Sequence, residues 1–266
     1  MKYNTFTLIL KYIHYLWKAS NGRGHGVHSP FVYAFIKNIL NASTKGSEIQ
    51  AIENYRQKLL QKHQTINVLD LGAGANGKIN PSKTIAQIAK DALKPKKYSS
   101  FLHRLVAYYQ PQEILELGTS LGITTCYLAN AAKNVKVVTM EGAPTVADEA
   151  MTTFNQLGYQ NIQLMKGDFD QILPHYLNGI TQVGLAYIDG NHRYAPTMNY
   201  FNLLWNKCNE QSILVFDDIH WSAEMEKAWE EIKTDKRVSL TIDLFYIGIV
   251  FFRKENKEKE NFIIKF

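Results

Sequence analysis

Residues 113–125 read EILELGTSLGITT, and this stretch decides the fold class that the sequence predicts. The apolar run EILEL predicts a strand, Gly118 and Gly122 predict a tight turn, and ITTCYLANAA predicts a helix. A second strand pattern, VKVVTME, follows and ends on Glu141. A strand, a turn, a helix and a second strand in this order predict a unit of a parallel sheet.

The alternation of strands and helices continues toward the end of the chain. The strand patterns are EILELG, VKVVTME, IQLMKG, VGLAYID and SILVFDD, and the helices between them are predicted to begin near Ile123, Pro144, Phe169 and Tyr194. After the helical pattern SAEMEKAWEEIKTD, the runs RVSLTIDLF and YIGIVFFR lie too close together for a crossover helix, so they predict an antiparallel hairpin at the sheet edge. The tail KENKEKENF is interpreted as a solvated charge run.

The predicted fold class is therefore α/β, with a doubly wound, mostly parallel, seven-stranded Rossmann-like sheet that ends in a C-terminal antiparallel hairpin. An N-terminal helical extension precedes this sheet. Its predicted helices cover residues 5–19, the runs FVYAFIKNILN and EIQAIENYRQKLLQK, a segment from Asn80 through about Leu93, and SSFLHRLVAYY.

Composition sets limits on the function but does not choose one. The chain has 266 residues, 45% of them apolar, a formal charge of +6 and a pI near 9.1, which permit anionic ligands, nucleic acid or a membrane surface. Cys126 and Cys208 form no paired motif, which favours a reducing, cytoplasmic setting.

The first twenty residues, MKYNTFTLILKYIHYLWKAS, are apolar enough to raise the question of a signal peptide or membrane anchor. Lys11, His14 and Lys18 interrupt the run, which is too short to span a bilayer, so an amphipathic helix is predicted and no transmembrane segment. Association with a membrane surface stays open as the alternative.

Two glycine-rich loops compete for the role of nucleotide-binding site. Residues 66–77, INVLDLGAGANG, match the G-x-G-x-x-G pattern literally through Gly72, Gly74 and Gly77, but no strand and no acidic residue follow between Asp91 and Glu113. The second loop has a strand, a turn, a helix and, 23 residues after Gly118, the acid Glu141 in the place that suits a ribose. The second loop is therefore predicted to bind the nucleoside.

The second loop does not suit a dinucleotide. Thr124 and Thr125 stand where a third glycine would be expected, and Glu116 lies just before the turn. A carboxylate at that place repels a pyrophosphate and favours a cationic ligand or an ammonium group.

Several motifs together resemble a known family. ELGTSLGIT, the acid Glu141, GDF at 167–169, YIDGNH at 187–192 and VFDD at 215–218 resemble the class I S-adenosylmethionine-dependent methyltransferases. Within that class they are most similar to the metal-dependent small-molecule O-methyltransferases of the catechol and macrocin types. The resemblance covers roughly residues 98–253 and implies a methyltransferase domain at 98–266, preceded by a helical extension and lid at 1–97.

The resemblance implies a cofactor site for S-adenosylmethionine. Glu116, Gly118, Ser120 and Gly122 would line its methionine end, Glu141 would hold the ribose, Asp168 would approach the adenine, and Asp189 would complete the site. Simpler alternatives stay open, since Gly118 would serve in any turn and Asp168 would serve as the N-cap of the helix FDQILPHYL.

The resemblance also implies a site for a divalent cation such as Mg²⁺ and a catalytic base. Asp189, Asp217 and Asp218 would be the cation ligands, although the family often has asparagine at the position of Asp218, and His192 would accept the proton of the acceptor. Two acids at a strand end can instead cap a helix or bind an arginine, and His192 can simply order its loop. His220 and Trp221 are expected to shape the pocket wall.

The leading prediction is methyl transfer to the hydroxyl of a small-molecule acceptor, which the basic composition suggests is anionic. The extension offers Arg23, His25 and His28, with Lys78 and Lys83 near the first glycine loop, either as part of the acceptor pocket and lid or as ordinary exposed loops. The alternatives are an RNA or other nucleic-acid methyltransferase, which the lack of an N-P-P-Y-like motif disfavours, and a non-catalytic cofactor-binding scaffold. A homodimer is compatible with the sequence.

Overall fold

The structure is a computed structural model that describes residues 2–68 and 82–266. It divides into two compact units, one formed by Met1–Ala42 with Leu177–Phe266 and the other by Ser43–Tyr176. The first glycine loop, with Gly72, Gly74, Gly77 and Lys78, lies outside the described residues, as do Asn80 and Pro81. The predicted division of the chain at residue 97 stays a prediction.

The helices and strands of the described residues have the following bounds. The helices are α1 Thr5–Lys18, α2 Pro30–Phe35, α3 Gly46–Leu60, α4 Ile85–Ala92, α5 Lys96–Tyr109, α6 Ile123–Ala131, α7 Pro144–Leu157, α8 Phe169–Asn178, α9 Tyr194–Trp205 and α10 Ala223–Thr234. A π-helix, Ile36–Leu40, continues α2. The strands are β1 Thr65–Ile66, β2 Lys83–Thr84, β3 Ile114–Leu117, β4 Val137–Glu141, β5 Ile162–Lys166, β6 Leu185–Ile188, β7 Ile213–Asp217, β8 Leu240–Asp243, β9 Ile247–Phe251 and β10 Glu260–Ile263.

The central sheet has eight strands, five in the first unit and three in the second. In the second unit β3, β4 and β5 run parallel in that order. In the first unit the order is β10-β8-β9-β7-β6, with β6 and β7 parallel and the β8–β9 hairpin antiparallel. The predicted fold class is confirmed, because the structure has a mostly parallel sheet with helices between the strands and the predicted hairpin.

The eighth strand comes from the tail that the sequence suggested was a solvated charge run. Residues 254–259 are largely exposed, but β10 follows them and pairs in parallel with β8. The apolar residues Phe262, Ile263 and Ile264 explain this difference, because Ile264 is fully buried. The hairpin is therefore covered by β10 and does not form the sheet edge.

The helices between the strands begin where the sequence predicts, at Ile123, Pro144, Phe169 and Tyr194. The helix predicted from Asn80 begins only at Ile85, because Thr84 caps it. The Thr84 hydroxyl accepts a hydrogen bond from the Gln87 amide at 3.1 Å, and the Gln87 side chain accepts one from the Thr84 amide at 2.9 Å. This reciprocal capping box fixes the helix start.

The second unit has a hydrophobic core that joins the extension helices α3 and α4 to the helices α6 and α7. Ile52 of α3 and Ile85 of α4 lie in one buried cluster with Tyr127 of α6 and Phe154 of α7. Burial of this apolar surface holds the helices that flank the β3–α6 turn.

In the first unit, α1 is fastened through the carboxylate of Glu226 on α10. Tyr3 Oη and Lys11 Nζ both donate to Glu226 Oε2, at 2.8 and 2.9 Å. Burial alone would raise the pKa of Glu226, but hydrogen bonds from His220, Lys11 and Tyr3 outweigh it and lower the pKa to about 2. Among the described residues, no helix has the length and apolar character needed to cross a membrane.

We expect Glu226→Gln to lower the free energy of unfolding at pH 7 by about 1–3 kcal/mol, because three donors lose a charged acceptor. The folded pKa of Glu226 is about 2 and its ordinary pKa is 4.5, so its contribution is complete above about pH 4.5 and is lost as the pH falls through 2. Urea unfolding at a series of pH values measures the difference between wild type and variant, which should shrink in that window.

The control is Glu230→Gln on the same helix, where the carboxylate is exposed and pairs with Lys233. An exposed pair contributes at most about 1 kcal/mol, so this variant should stay close to the wild type. Equal effects of the two substitutions, or a wild-type advantage that grows in acid, would contradict the role assigned to Glu226.

Candidate active site

The turn between β3 and α6 has an unusual backbone conformation. Gly118 and Gly122 have φ angles of +104° and +82°, and Ser120 between them has a φ of +48°. The amides of Gly118 and Thr119 both donate to the carbonyl of Met140 on β4, at 3.0 and 3.2 Å. A serine seldom adopts positive φ, so surrounding contacts must hold it there.

The carboxylate of Glu116 is buried beneath this turn. Glu116 is 0% exposed, and its Oε2 accepts hydrogen bonds from Thr125 Oγ1 at 2.5 Å and Thr139 Oγ1 at 2.6 Å. Thr139 therefore has no further proton to give, so Thr119 Oγ1, at 2.6 Å, donates to Thr139. These bonds give Glu116 an internal structural role, and its predicted contact with the methionine end of a cofactor stays a prediction.

Glu141 ends β4, as the sequence predicts, and its carboxylate faces the turn. Its Oε2 accepts from the Ser120 amide at 2.8 Å and its Oε1 accepts from the Ala143 amide at 2.9 Å. Burial raises the pKa of Glu141, although hydrogen bonds from backbone amides of Ala143, Ser120, Gly142 and Thr119 act in the opposite direction. The carboxylate is thus fixed in direction by the backbone.

The hydroxyl of Ser120 has no hydrogen-bond partner among the described residues. Its Oγ is buried. A buried hydroxyl without a partner is costly in a folded protein. Together with the Glu141 carboxylate, it fits a ligand that offers hydroxyl or amino groups, such as a nucleoside or an amino acid.

Asp168 is the N-cap of α8. Its Oδ1 accepts from the Asp170 amide at 3.0 Å, and its carbonyl accepts from the amides of Gln171 and Ile172. The simpler of the two sequence interpretations therefore describes what this exposed side chain does in the structure. Its approach to an adenine stays a prediction.

In the first unit, three side chains lie close enough to share one cation. Asp189, His192 and Asp217 each offer a ligand atom, and these atoms lie within 4.8 Å of one another. The strands β6 and β7 are parallel, with Ile188 beside Phe216, so Asp189 and Asp217 leave the sheet at the same edge. Asp217 is fully buried, and Tyr187 Oη donates to Asp189 Oδ2 at 3.0 Å.

Asp218 does not belong to this group of the described residues. The chain does turn at this position, because Asp218 has a φ of +53° and its carbonyl accepts from the Trp221 amide at 2.9 Å. The sequence required such a turn for the three aspartates to converge, but the nitrogen of His192 takes the third place in the group. The predicted role of Asp218 as a ligand stays a prediction.

The loop that carries His192 is held by residues that the sequence did not single out. Asn191 has a φ of +56°, its Oδ1 accepts from Arg193 Nε and Nη2 at 2.9 and 2.8 Å, and its Nδ2 donates to Tyr200 Oη at 3.1 Å. His192 Nε2 lies 3.6 Å from Asp189 Oδ1, and its ring centroid lies 5.7 Å from that of Trp221. An asparagine directly after a glycine was the sequence signal that could have predicted this loop conformation, because asparagine tolerates the left-handed backbone conformation.

His220 has no free ring nitrogen for acid–base chemistry. Nδ1 lies 3.1 Å from Glu226 Oε1 and Nε2 lies 2.9 Å from Asp243 Oδ2. Burial alone would lower the pKa of His220, but these two carboxylates outweigh it and raise the pKa to about 9. The ring is therefore a charged structural link between Asp243 and Glu226.

A comparison with known proteins matches the range of the chain that contains the residues of both sites. Residues 115–219 match the sequence profile of a family described as a methyltransferase domain. The matched range begins in β3, includes Glu141 and ends just after Asp218. The part of the chain from β3 to the end of β7 is therefore similar to methyltransferase domains.

Among characterised relatives, the chain is similar to the catechol O-methyltransferase of Niastella koreensis, with 29% identity over 45% of this chain and 54% of the relative. The chain spans about half the length of the curated relatives it matches. Two solved structures share the fold. One is a putative O-methyltransferase from Klebsiella pneumoniae, at 16% identity and a TM-score of 0.56, covering 80% of this chain and 92% of that chain.

The second solved structure is the SAH-bound methyltransferase PaMTH1 of Podospora anserina. It has 11% identity and a TM-score of 0.58, and the alignment covers 96% of this chain and 98% of that chain. At these identities the two structures establish the fold alone.

We expect Gly122→Ala to destabilise the protein by about 2–4 kcal/mol, because a Cβ there would lie 2.5 Å from Phe154 Cε1 at a φ of +82°. Gly158→Ala is the matched control, because its φ is +75° but its Cβ would meet nothing within 4 Å. That variant should cost only about 1 kcal/mol of backbone strain. Urea unfolding compares the two, and equal losses would show that packing against Phe154 does not constrain the turn.

Proposed function

We propose that the protein transfers a methyl group from S-adenosylmethionine to the hydroxyl of a small, anionic molecule. The observation that carries the proposal is the β3–α6 turn, where the Ser120 hydroxyl has no partner among the described residues and the Ser120 amide donates to the carboxylate of Glu141. The methyltransferase profile at residues 115–219 and the similarity to a catechol O-methyltransferase support it.

The residues of the turn fit the parts of the cofactor. Glu141 would accept hydrogen bonds from the ribose hydroxyls, because its carboxylate ends β4 and is oriented by the Ser120 and Ala143 amides. Ser120 Oγ would hydrogen-bond the amino-acid end, with Gly118 and Gly122 giving it close backbone approach. The negative charge of Glu116 beneath the turn favours a cationic ligand over a pyrophosphate.

When bound, S-adenosylmethionine supplies an electrophilic methyl group on its sulfonium sulfur, which the acceptor oxygen takes. Asp189 and Asp217 would hold a divalent cation such as Mg²⁺, because hard cations prefer carboxylate oxygens. Such a cation lowers the pKa of a hydroxyl bound to it and fixes its direction.

In this proposal His192 accepts the proton of the acceptor hydroxyl at Nε2. A neutral imidazole can accept a proton from a hydroxyl group. The hydrogen bonds of Asn191 with Arg193 and Tyr200 hold the loop that positions the ring. The same nitrogen cannot both bind a cation and accept a proton, so the assignment of His192 as base excludes it as a ligand.

The proposal includes the division of the chain predicted from the sequence, with an extension and lid at 1–97 and the methyltransferase domain at 98–266. It also includes a cytoplasmic setting and compatibility with a homodimer. The comparisons do not favour nucleic-acid methylation or a non-catalytic scaffold.

The cofactor site is tested by calorimetric titration of S-adenosylhomocysteine into the wild type and Glu141→Gln. We expect micromolar binding to the wild type and a loss of about 10- to 100-fold in the variant, because hydrogen bonds to a charged acceptor contribute about 1.5–3 kcal/mol. Asp148→Asn, an exposed acid paired with Lys166, is the control and should bind like the wild type.

An absence of binding to the wild type would overturn the proposed function. Normal binding by Glu141→Gln would instead overturn the ribose role of Glu141 alone.

The roles of the three clustered side chains are tested with Mn²⁺, a cation that accepts both oxygen and nitrogen ligands. We expect Asp217→Asn to weaken Mn²⁺ binding at least tenfold, measured by electron paramagnetic resonance of the free ion, because a ligand charge is lost. His192→Gln should change Mn²⁺ affinity little while it lowers kcat, since the proton acceptor is lost.

If His192→Gln weakens Mn²⁺ as much as Asp217→Asn does, the imidazole is a ligand and another group is the base. If both variants bind Mn²⁺ like the wild type, the cluster is not a cation site. Thermal unfolding of each variant verifies that the isosteric substitutions leave the fold intact.

A further inference from the structure

The outward face of α1 exposes an unusual amount of apolar surface. Phe6, Ile9, Leu10, Ile13 and Trp17 are 70%, 52%, 51%, 57% and 82% exposed, and they recur at intervals of three or four residues. This spacing places them on one side of the helix. We call these five side chains the apolar stripe. A contiguous exposed apolar patch of this kind marks an interaction surface more often than a scattered exposed residue does.

The opposite side of the same helix is fully engaged within the first unit. Tyr15 is buried and its hydroxyl donates to the carbonyl of Ile264, and the Tyr12 ring packs edge-on against Phe245 with centroids 4.9 Å apart. Lys11 on the flank is paired with Glu226. The helix is therefore anchored by one apolar side, so the fold does not need the apolar stripe for this attachment.

The charge of the chain is concentrated in the same segment. The first 47 residues contain six lysines and arginines and no acidic residue, and the remaining residues contain 24 of each sign. The whole formal charge of +6 thus comes from this segment. In the first unit, Lys2, Lys18, Arg23 and Lys37 are exposed.

We propose that α1 docks flat on an anionic phospholipid bilayer, with the apolar stripe in the interface and the neighbouring lysines and arginine on the lipid phosphates. An apolar face with Trp and Phe combined with nearby basic residues is the pattern of an interfacial helix. The 14 residues of α1 extend about 21 Å, less than the roughly 30 Å of a hydrocarbon core, so the helix lies along the surface.

The composition favours this partner over a second copy of the chain. Pairing of two α1 helices would bring together two segments that carry only positive charge and no acidic residue. Phe6 and Trp17 both belong to the apolar stripe, and aromatic rings suit the boundary between lipid headgroups and acyl chains. The docking does not depend on the proposed methyl transfer, because no residue of the apolar stripe belongs to the candidate active site.

The full chain is tested with vesicles of phosphatidylcholine, with and without about 30% phosphatidylglycerol. We expect cosedimentation with the anionic vesicles and at least tenfold weaker binding to pure phosphatidylcholine or in high salt. Trp17 is one of four tryptophans and is 82% exposed, so the emission should shift to shorter wavelength on binding.

Two variants separate the apolar and the electrostatic contributions. The double substitution Ile13→Gln with Trp17→Gln should abolish both the fluorescence shift and the cosedimentation. Lys18→Gln with Arg23→Gln should weaken binding to anionic vesicles about tenfold or more while it leaves the urea unfolding midpoint unchanged. Met151→Gln replaces another exposed apolar residue, 38% exposed on α7, and should bind like the wild type.

Wild-type protein that does not bind anionic vesicles would overturn the proposal, as would binding that survives the Ile13→Gln and Trp17→Gln substitutions. Light scattering measures the oligomeric state and so tests the alternative that the apolar stripe binds a second copy of the chain. If the wild type is a dimer, the Ile13→Gln and Trp17→Gln double variant is a monomer, and the wild type does not bind vesicles, then the apolar stripe binds a second copy of the chain.

Discussion

The buried carboxylate of Glu116 is the constraint on which the geometry of the β3–α6 turn depends. A buried carboxylate is tolerated only when hydrogen bonds replace its hydration. Thr125 on α6 and Thr139 on β4 provide them, and Thr119 in the turn continues the chain of donors. The requirement to satisfy one charge therefore ties two strands, the turn and the following helix into one arrangement.

The position of Ser120 follows from that arrangement. With the turn fixed at Thr119 and with Gly122 packed against Phe154, Ser120 is held at positive φ and its amide points at Glu141. Contacts on both sides of Ser120 stabilise its backbone conformation. A strained backbone conformation persists at a binding site only where surrounding contacts hold it. The buried position of the Ser120 hydroxyl, which has no partner within residues 2–68 and 82–266, then follows from a turn whose shape is set by contacts below it.

Much of this arrangement was predictable because it follows from periodicity. The alternation of strands and helices predicted the fold class, and strand ends placed Glu141, Asp189 and Asp217 at sheet edges. The helix start was predicted from the Asn80–Pro81 pair, and the start after Thr84 was missed. Two nearby sequences each resembled a helix N-terminus, and the Thr–Gln capping box was the stronger signal. The strand β10 was missed because its four residues overlap the end of the charge run and carry little periodicity, and its pairing with β8 is a tertiary effect.

Other parts of the site were not visible in the sequence for a different reason. Thr139 is an ordinary β-branched residue in a buried strand, and only its register opposite Glu116 makes it a hydrogen-bond donor to that carboxylate. Arg193 likewise becomes a support of the His192 loop only because Asn191 adopts the left-handed conformation. Roles that depend on strand register or on a local backbone conformation are set by the folded structure, and residue types and spacing alone do not encode them.

The helix α1 also shows that sequence periodicity does not determine how an element packs. The sequence predicts an amphipathic helix, but apolar side chains lie on both its inner and its outer side, and the polar residues occupy the flanks. Periodicity cannot state which apolar side faces the protein, and the contacts of Tyr12 and Tyr15 decide it. Burial of the inner side accounts for the attachment of the helix. The outer side retains five large apolar residues that the attachment does not require. They lie in the segment that accounts for the whole formal charge of the chain, and this combination is the basis for the proposed partner outside the fold.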